Sequence, residues 1–276
     1  MRPTRPRPYR PTMDRTESFL IPLDVAESYE ARFVPAIFAE WAPRLLDAVE
    51  ISPGDRVLDV ACGTGVVARD AAARVGAERV VGVDLNPAML KVARRIAPDI
   101  DWREGDAVAL PVDDASFDVA TCQMALMFMP DRRAVWADMR RAVRPGGRVG
   151  VVVPAALDVQ PAYRVFVDVA VAFAGDDARS LLATYWNCGD LDGLVQDIAR
   201  CGLTDIRSCT IPGTARFESA ADFVATEIGS SPLGERIDAD TAAQISTAVA
   251  ERLGRYDGPG GFGVPLHCHV VIARRP

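Results

Sequence analysis

The sequence predicts an α/β fold, doubly wound: a mostly parallel seven-stranded sheet with helices on both faces and a helical lid. Three observations predict it. Short apolar runs alternate with amphipathic stretches between residues 55 and 153, the rhythm of parallel strands joined by crossover helices. A hydrophobic run over 57–66 passes directly into a glycine turn that opens a helix. The 276 residues are 49% hydrophobic and 25% charged, enough to bury a large core and unlike a disordered or fibrous chain.

Taken in order, residues 1–24 read as a disordered basic tail, because MRPTRPRPYRPT carries four Arg and four Pro with no acid. Residues 25–276 form one domain. Its first part, 25–50, holds cap helices, with Phe33, Ile37, Phe38, Trp41, Leu45, Leu46 and Val49 at helical spacing and Pro35 and Pro43 interrupting them. The core over 51–154 has strands at 55–60, 79–83, 100–103, 117–122 and 148–153, and helices at 66–75, 87–96 and 132–143. The turn Arg144-Pro145-Gly146-Gly147 leads into the fifth strand. Two helical insertions, 155–188 and 214–256, form an acceptor lid, and strands at 205–211 and 264–273 complete the sheet.

Charge narrows the function. Lys and Arg total 31 against 38 Asp and Glu, a net charge of −7, which disfavours a nucleic-acid partner. No apolar run reaches a bilayer span. The six cysteines, at 62, 122, 188, 201, 209 and 268, include no C-x-x-C pair, which suits reduced thiols in a cytoplasm.

The sharpest signal is Val57-Leu58-Asp59-Val60-Ala61-Cys62-Gly63-Thr64-Gly65-Val66. Glycine in such a turn lets the backbone approach a ligand where a Cβ would collide. Asp84 ends the next strand, placed to accept two ribose hydroxyls. Gly63-x-Gly65-x-x-Ala68 with Asp84 also satisfies a dinucleotide fingerprint, so a NAD-dependent oxidoreductase is an alternative. Asp59 discriminates. A carboxylate at the end of the first strand repels a pyrophosphate but attracts the ammonium of a methionine moiety, which points to S-adenosylmethionine.

On these residues the chain resembles the class I S-adenosylmethionine-dependent methyltransferases, in the small-molecule group similar to the ubiquinone and menaquinone methyltransferases. The resemblance covers roughly residues 26–153. It implies that Asp59, Ala61, Gly63 and Gly65 hold the methionine end, with alanine at 61 where many members have glycine. It implies that Asp84 holds the ribose and that Leu85 and Met89 pack on the adenosine. In Gly105-Asp106-Ala107, the Asp106 carboxylate would accept from the adenine amino group and the Ala107 amide would reach a ring nitrogen. Gln123, ending the fourth strand, would touch the methionine portion. Tyr29 or Phe33 would close over the cofactor from the N-terminal side.

The acceptor leaves a fainter trace. The sulfonium already activates the methyl group, so the protein has to align an acceptor, exclude water and, for oxygen, remove a proton. Thr121-Cys122-Gln123-Met124 lacks the Asn/Asp-Pro-Pro-Tyr element of adenine and amide methylation. The expected acceptor is therefore a small molecule, apolar or aromatic, methylated on oxygen or carbon. Met124, Met127, Phe128, Met129, Tyr163, Phe166, Tyr185 and Trp186 could wall its pocket, or serve as core. The only histidines, His267 and His269, share one face of the last strand and are the candidate general bases. A third ligand is wanting, so no metal is expected. A non-catalytic S-adenosylmethionine binder is a further alternative, and the sequence leaves room for a homodimer.

Overall fold

The computed structural model of the protein describes residues 21–276. The expected tail over 1–24 lies mostly outside the described residues, and its end is not tail, because α1, Leu23–Ser28, begins within it. The chain then winds as a wide π-helix over Tyr29–Phe38, where the Ala39 N–H donates to the Val34 carbonyl at 2.8 Å. Pro35 gives the physical reason. Its ring collides with the carbonyl one α-turn back and it donates no hydrogen bond, and a wider turn relieves both conflicts. α2, Trp41–Ala48, follows and buries Trp41, Leu45 and Leu46 completely.

Five strands then alternate with helices as the periodicity predicts. They are β1 (Val57–Val60), β2 (Val80–Asp84), β3 (Asp101–Glu104), β4 (Phe117–Gln123) and β5 (Val143–Pro154). α3 (Val66–Val75), α4 (Pro87–Ile96) and α5 (Arg132–Ala142) are their connections. β1 lies between β2 and β4, and all the pairings among these five strands are parallel. Burial on both faces explains their unbroken apolar runs: all four residues of β1 are buried. β5 starts earlier than expected. The Arg144 to Gly147 turn is drawn into it because Val143 pairs with Phe117 ahead of a bulge.

Beyond β5 come α6 (Pro161–Ala174), α7 (Asp177–Leu181), a short turn at Thr184–Trp186, and α8 (Leu191–Arg200). β6 runs over Thr204–Phe217, so residues 214–217, expected in the second helical insertion, are strand. They pair continuously with the last strand from Thr214↔Pro265 to Phe217↔Phe262, which holds the segment extended. α9 (Ala220–Gly229) opens at Ser219, whose hydroxyl accepts from the Asp222 N–H, and α10 (Ala239–Leu253) packs on it. β7 (Asp257–Gly258) turns tightly into β8 (Gly261–Arg274).

The strand order is β3-β2-β1-β4-β5-β8-β6, with β7 paired to β8 off this path. Among the described residues the sheet therefore has eight strands, not seven. The extra one is two residues long, too short to leave a periodic pattern in the sequence. β8 is antiparallel to both neighbours, β5 and β6. The insertion helices are fastened to this edge by aromatic contacts: Phe223 of α9 meets Tyr163, Phe166, Phe217 and Phe262 at centroid distances of 5.1–5.7 Å. No described helix is long and apolar enough to cross a membrane.

Candidate functional site

The site forms where β1 ends. Ala61, Gly63 and Gly65 all have positive φ, at 53°, 56° and 91°, so the chain coils tightly before α3 begins. Two acids brace this coil. Asp84, at the end of β2, accepts the Gly63 N–H at 2.8 Å with one oxygen and the Asn86 N–H at 2.8 Å with the other. Asp59 accepts the Ala68 N–H at 3.1 Å, in the first turn of α3, and the Thr121 hydroxyl at 3.1 Å from β4. Burial is the main cause pushing the Asp59 carboxyl up to about 7, and it also raises Asp84. Both acids therefore hold the glycine turn in shape as well as facing it.

The two glycines have different reasons to be glycine. A Cβ on Gly65 would lie 2.2 Å from the Trp102 indole, so close packing against β3 requires its absence. Gly63 faces the groove, and the nearest atom to a Cβ there would be the Tyr29 hydroxyl at 3.6 Å. Ala61 adopts a left-handed conformation without being glycine, at a cost of roughly 1–2 kcal/mol.

Tyr29 closes the groove from above. Its ring stacks on Phe33 at 5.8 Å and lies against Phe38 at 5.2 Å. Burial, and then the nearby Asp84 and Glu30 carboxylates, push its phenol upward. Gln123 ties the same segment to the sheet, its Nε2 donating to the Phe38 carbonyl at 3.0 Å. Arg69 of α3 bonds both Glu30 and the Thr64 carbonyl. What remains between Tyr29, Phe38, Asp59, Ala61, Cys62, Val66, Val67 and Gln123 is a cavity of about 20 Å³. In its lining, Gln123 Oε1 is buried with no hydrogen-bond partner, as are Thr64 Oγ1 in the glycine turn and Glu30 Oε2 next to Tyr29 in sequence. Buried polar atoms are almost always paired, so the Gln123 oxygen in this cavity is suited to a polar ligand.

The side expected from the sequence to take adenosine is more open. Leu85 and Met89 are half-buried beside Asn86, which caps α4. Gly105 joins this wall through its N–H to the Asp84 carbonyl, at 3.0 Å. Asp106 is exposed, its side chain accepting the Val108 N–H at 3.1 Å, and Ala107 is partly buried next to it. The structure thus gathers Tyr29, Phe33, Asp59, Ala61, Gly63, Gly65, Asp84, Leu85, Met89, Gly105, Asp106, Ala107 and Gln123 along the C-terminal ends of β1, β2, β3 and β4.

The two histidines stand apart, on β8, with β5 and β4 between them and β1. His269 does not fit the expected role of base. Its Nε2 donates to the Gly189 carbonyl at 3.0 Å and its Nδ1 meets the Thr210 hydroxyl at 2.8 Å, so both ring nitrogens are engaged. His267 leaves Nδ1 without a partner, while Gln160 clamps its backbone at the N–H and carbonyl. Among the described residues no group of three or more His, Cys, Asp or Glu is placed to hold a metal ion.

The expected wall of aromatics contains a residue that the sequence reading passed over. Glu227 of α9 is 7% exposed and faces Tyr163. Its one visible signal was an acid inside the apolar run Phe223-Val224-Ala225-Thr226-Glu227-Ile228.

Comparison with known proteins agrees with this geometry. The family described as "Methyltransferase domain" matches residues 57–147. The chain is 34% identical to the demethylmenaquinone methyltransferase of Paenarthrobacter aurescens over 183 residues, 63% of this chain and 72% of that protein. It is 43% identical to the demethylmenaquinone methyltransferase of Renibacterium salmoninarum, covering 40% of this chain and 46% of that one. It is 42% identical to a 2-phytyl-1,4-naphtoquinone methyltransferase of Synechococcus elongatus, covering 36% and 46%. The chain thus spans under half the length of the last two relatives. Among solved structures, a Haemonchus contortus phosphoethanolamine N-methyltransferase bound to S-adenosylhomocysteine aligns with TM-score 0.59 at 18% identity, over 95% of this chain and 59% of that one. The YcgJ protein of Bacillus subtilis aligns with TM-score 0.59 at 19% identity, over 86% and 98%. At these identities the structural matches speak to the fold.

Proposed function

This chain belongs to the class I S-adenosylmethionine-dependent methyltransferases, and from that premise we propose that it transfers a methyl group from S-adenosylmethionine to a small apolar or aromatic acceptor, on oxygen or carbon. The observation that carries this reading is the glycine turn braced by Asp59 and Asp84, with the partnerless Gln123 oxygen in the cavity beside it. The residues present fit the cofactor: the Gln123 Oε1 and Asp59 carboxylate in the cavity lining are acceptors suited to an ammonium, and Asp84 keeps lone pairs for ribose hydroxyls. When bound, S-adenosylmethionine supplies an electrophilic methyl carbon on a sulfonium.

The remaining work falls to the protein's own residues. In this reading Asp59, Ala61, Gly63, Gly65 and Gln123 hold the methionine end, and Asp84 the ribose. Leu85 and Met89 pack on the base, and Asp106 and Ala107 read its edge. Tyr29 and Phe33 exclude water, and with a residual cavity of about 20 Å³ the Tyr29 ring has to swing aside for entry. The helices over 155–188 and 218–256 cover the acceptor. The quinone methyltransferases among the relatives favour a quinone-like acceptor, and the same reading implies a cytoplasmic location.

The test is incubation of the protein with methyl-labelled S-adenosylmethionine and a lipid-and-metabolite extract of the source cells. Label in a small organic-soluble product is the expected result. Label confined to protein or nucleic acid would overturn the acceptor class, and tight cofactor binding without transfer to any fraction would favour a binder without catalysis.

A further inference from the structure

Glu227 is a buried acid without a charge partner. Its carboxyl meets the Tyr163 hydroxyl from α6, and the Tyr185 phenol lies near enough to feel its charge. Among the described residues no cation acts on it, and none of the groups of α10, of β6 or of the turn at Pro232–Glu235 does so. The titratable groups facing this corner are Tyr163, Tyr185 and, behind Tyr163, the Cys268 thiol of β8. A lone buried carboxyl destabilises a fold, and an apolar residue would remove that burden. Helix packing alone therefore leaves Glu227 without a reason.

Its surroundings are flat and lead back to the glycine turn. Tyr163 stands edge-on to Trp186 at 5.1 Å and to Phe223 at 5.3 Å. Tyr185 donates to the Ser230 carbonyl at 3.1 Å, and its ring meets Phe128 edge-on at 5.5 Å. Phe128 follows closely on Gln123 at the end of β4. Tyr185 also lies within electrostatic reach of Tyr29, the ring that crosses Gly63. One acid, two phenols and several rings thus lie between α9 and the segment that follows β4.

Resting on the methyl-transfer reading above, we propose that this cluster is the acceptor site, that its acceptor is an aromatic hydroxyl compound such as a phenol or hydroquinone, and that Glu227 is the base. The acceptor O–H bond breaks, the proton bonds to a Glu227 carboxylate oxygen, and the O–H electron pair stays on the acceptor. That pair attacks the methyl carbon from the oxygen, or through the ring carbon ortho to it, as the S–CH3 bond breaks and its electrons stay on the sulfur of S-adenosylhomocysteine; on carbon, the ring C–H proton then moves to the oxygen and the ring is aromatic again. The proton on Glu227 passes to water when the product leaves. An oxidised quinone has no such proton to give, so the reduced form is the substrate. Burial raises the Glu227 carboxyl to about 8, closer to a phenol than an exposed carboxylate is, which favours proton transfer.

The experiment uses two probes, with the full chain, Glu227→Gln, Glu227→Asp and Tyr163→Phe. In the first arm, 1,4-dihydroxynaphthalene kept reduced is offered with labelled S-adenosylmethionine across pH 6–10. In the second, binding of 1-naphthol to the protein saturated with S-adenosylhomocysteine is followed over the same range. The wild type should gain both kcat/KM and naphthol affinity as pH rises through about 8, because the ionised carboxyl is the form that accepts the proton. Glu227→Gln should lower kcat/KM by about a hundredfold or more and flatten the naphthol curve, with S-adenosylmethionine affinity within twofold of wild type. Glu227→Asp should keep part of the rate and the pH limb. Retention of both pH limbs in Glu227→Gln would overturn the proposal. Should that variant not fold, Tyr163→Phe decides: loss of the hydroxyl that stabilises the ionised carboxyl should move the wild-type limb to higher pH, and an unmoved limb would overturn the proposal. Glu227-dependent naphthol binding with no methyl transfer would uphold the acceptor site and refute the methyl-transfer reading instead.

Discussion

The Tyr29 hydroxyl stands over Gly63, 3.6 Å from the point where a side-chain carbon on that glycine would lie. The ring is at once the seal of the groove and the obstacle to filling it. Tyr29→Ala should therefore raise both the association and the dissociation rate of S-adenosylmethionine several-fold, with little change in their ratio. Stopped-flow tryptophan fluorescence would show it, Trp102 lying under the turn, and unchanged rates would mean the segment opens elsewhere.

Asp84 braces the fold, and in the proposed function it also holds the ligand. Asp84→Ala should lose about 1–3 kcal/mol of cofactor affinity by calorimetry. It should also lower the unfolding free energy, because the Gly63 and Asn86 amides lose their acceptor. Asp84→Asn should restore stability more fully than affinity. Equal affinity in all three proteins would remove Asp84 from the site.

Buried acids give this protein a pH dependence of definite sign. Folding raises Glu227 from 4.5 to about 8 and Asp59 from 3.8 to about 7, so between those limits the native state binds more protons than the unfolded chain. Stability should fall as pH climbs from about 5 to 8 and level off above the folded values. Glu227→Gln should flatten its share, gaining on the order of 2–4 kcal/mol over wild type at pH 9 and little at pH 4. Parallel urea-midpoint curves for the two proteins would contradict the burial of an unpaired carboxyl.

Glycine substitutions should separate crowding from backbone strain. Gly65→Ala combines a φ of 91° with a collision against Trp102 and should cost about 2–4 kcal/mol. Gly146→Ala, at φ 77° with open space around it, should cost about 1 kcal/mol. Ala61→Gly should run the other way, relieving strain at the cost of a more flexible unfolded chain, for a net gain of up to about 1 kcal/mol. Thermal melts of the three variants test the ranking.

Much of this molecule was readable in advance, and the exceptions share a cause. β1, β2, β3 and β4 with their helices were visible because burial imposes a period on neighbouring residues, and Asp59, Gly63 and Asp84 because a tight glycine turn braced by acids at two strand ends fixes their spacing. The π-helix was hidden because Pro35 reads as a break, while the structure absorbs it by widening the turn. The hydrogen bonds of His269 were hidden because its partners, Thr210 and Gly189, are 59 and 80 residues away in sequence. Glu227 escaped for the same reason: an acid on a helix reads as a solvent-facing residue until α6 and the Tyr185 turn are seen to cover it.

The place of β8 has a consequence for how the protein comes into being. It leaves the ribosome after β5 and β6, yet it sits between them. Until it arrives, β5 has an open edge and β6 has no partner at all, so a nascent chain already bearing the whole glycine turn still exposes two unpaired strands. Such edges recruit other chains. Synthesis of this protein should therefore depend on protection after β6 has emerged, and a truncation just before Gly261 should aggregate even though every residue assigned to the cofactor is present.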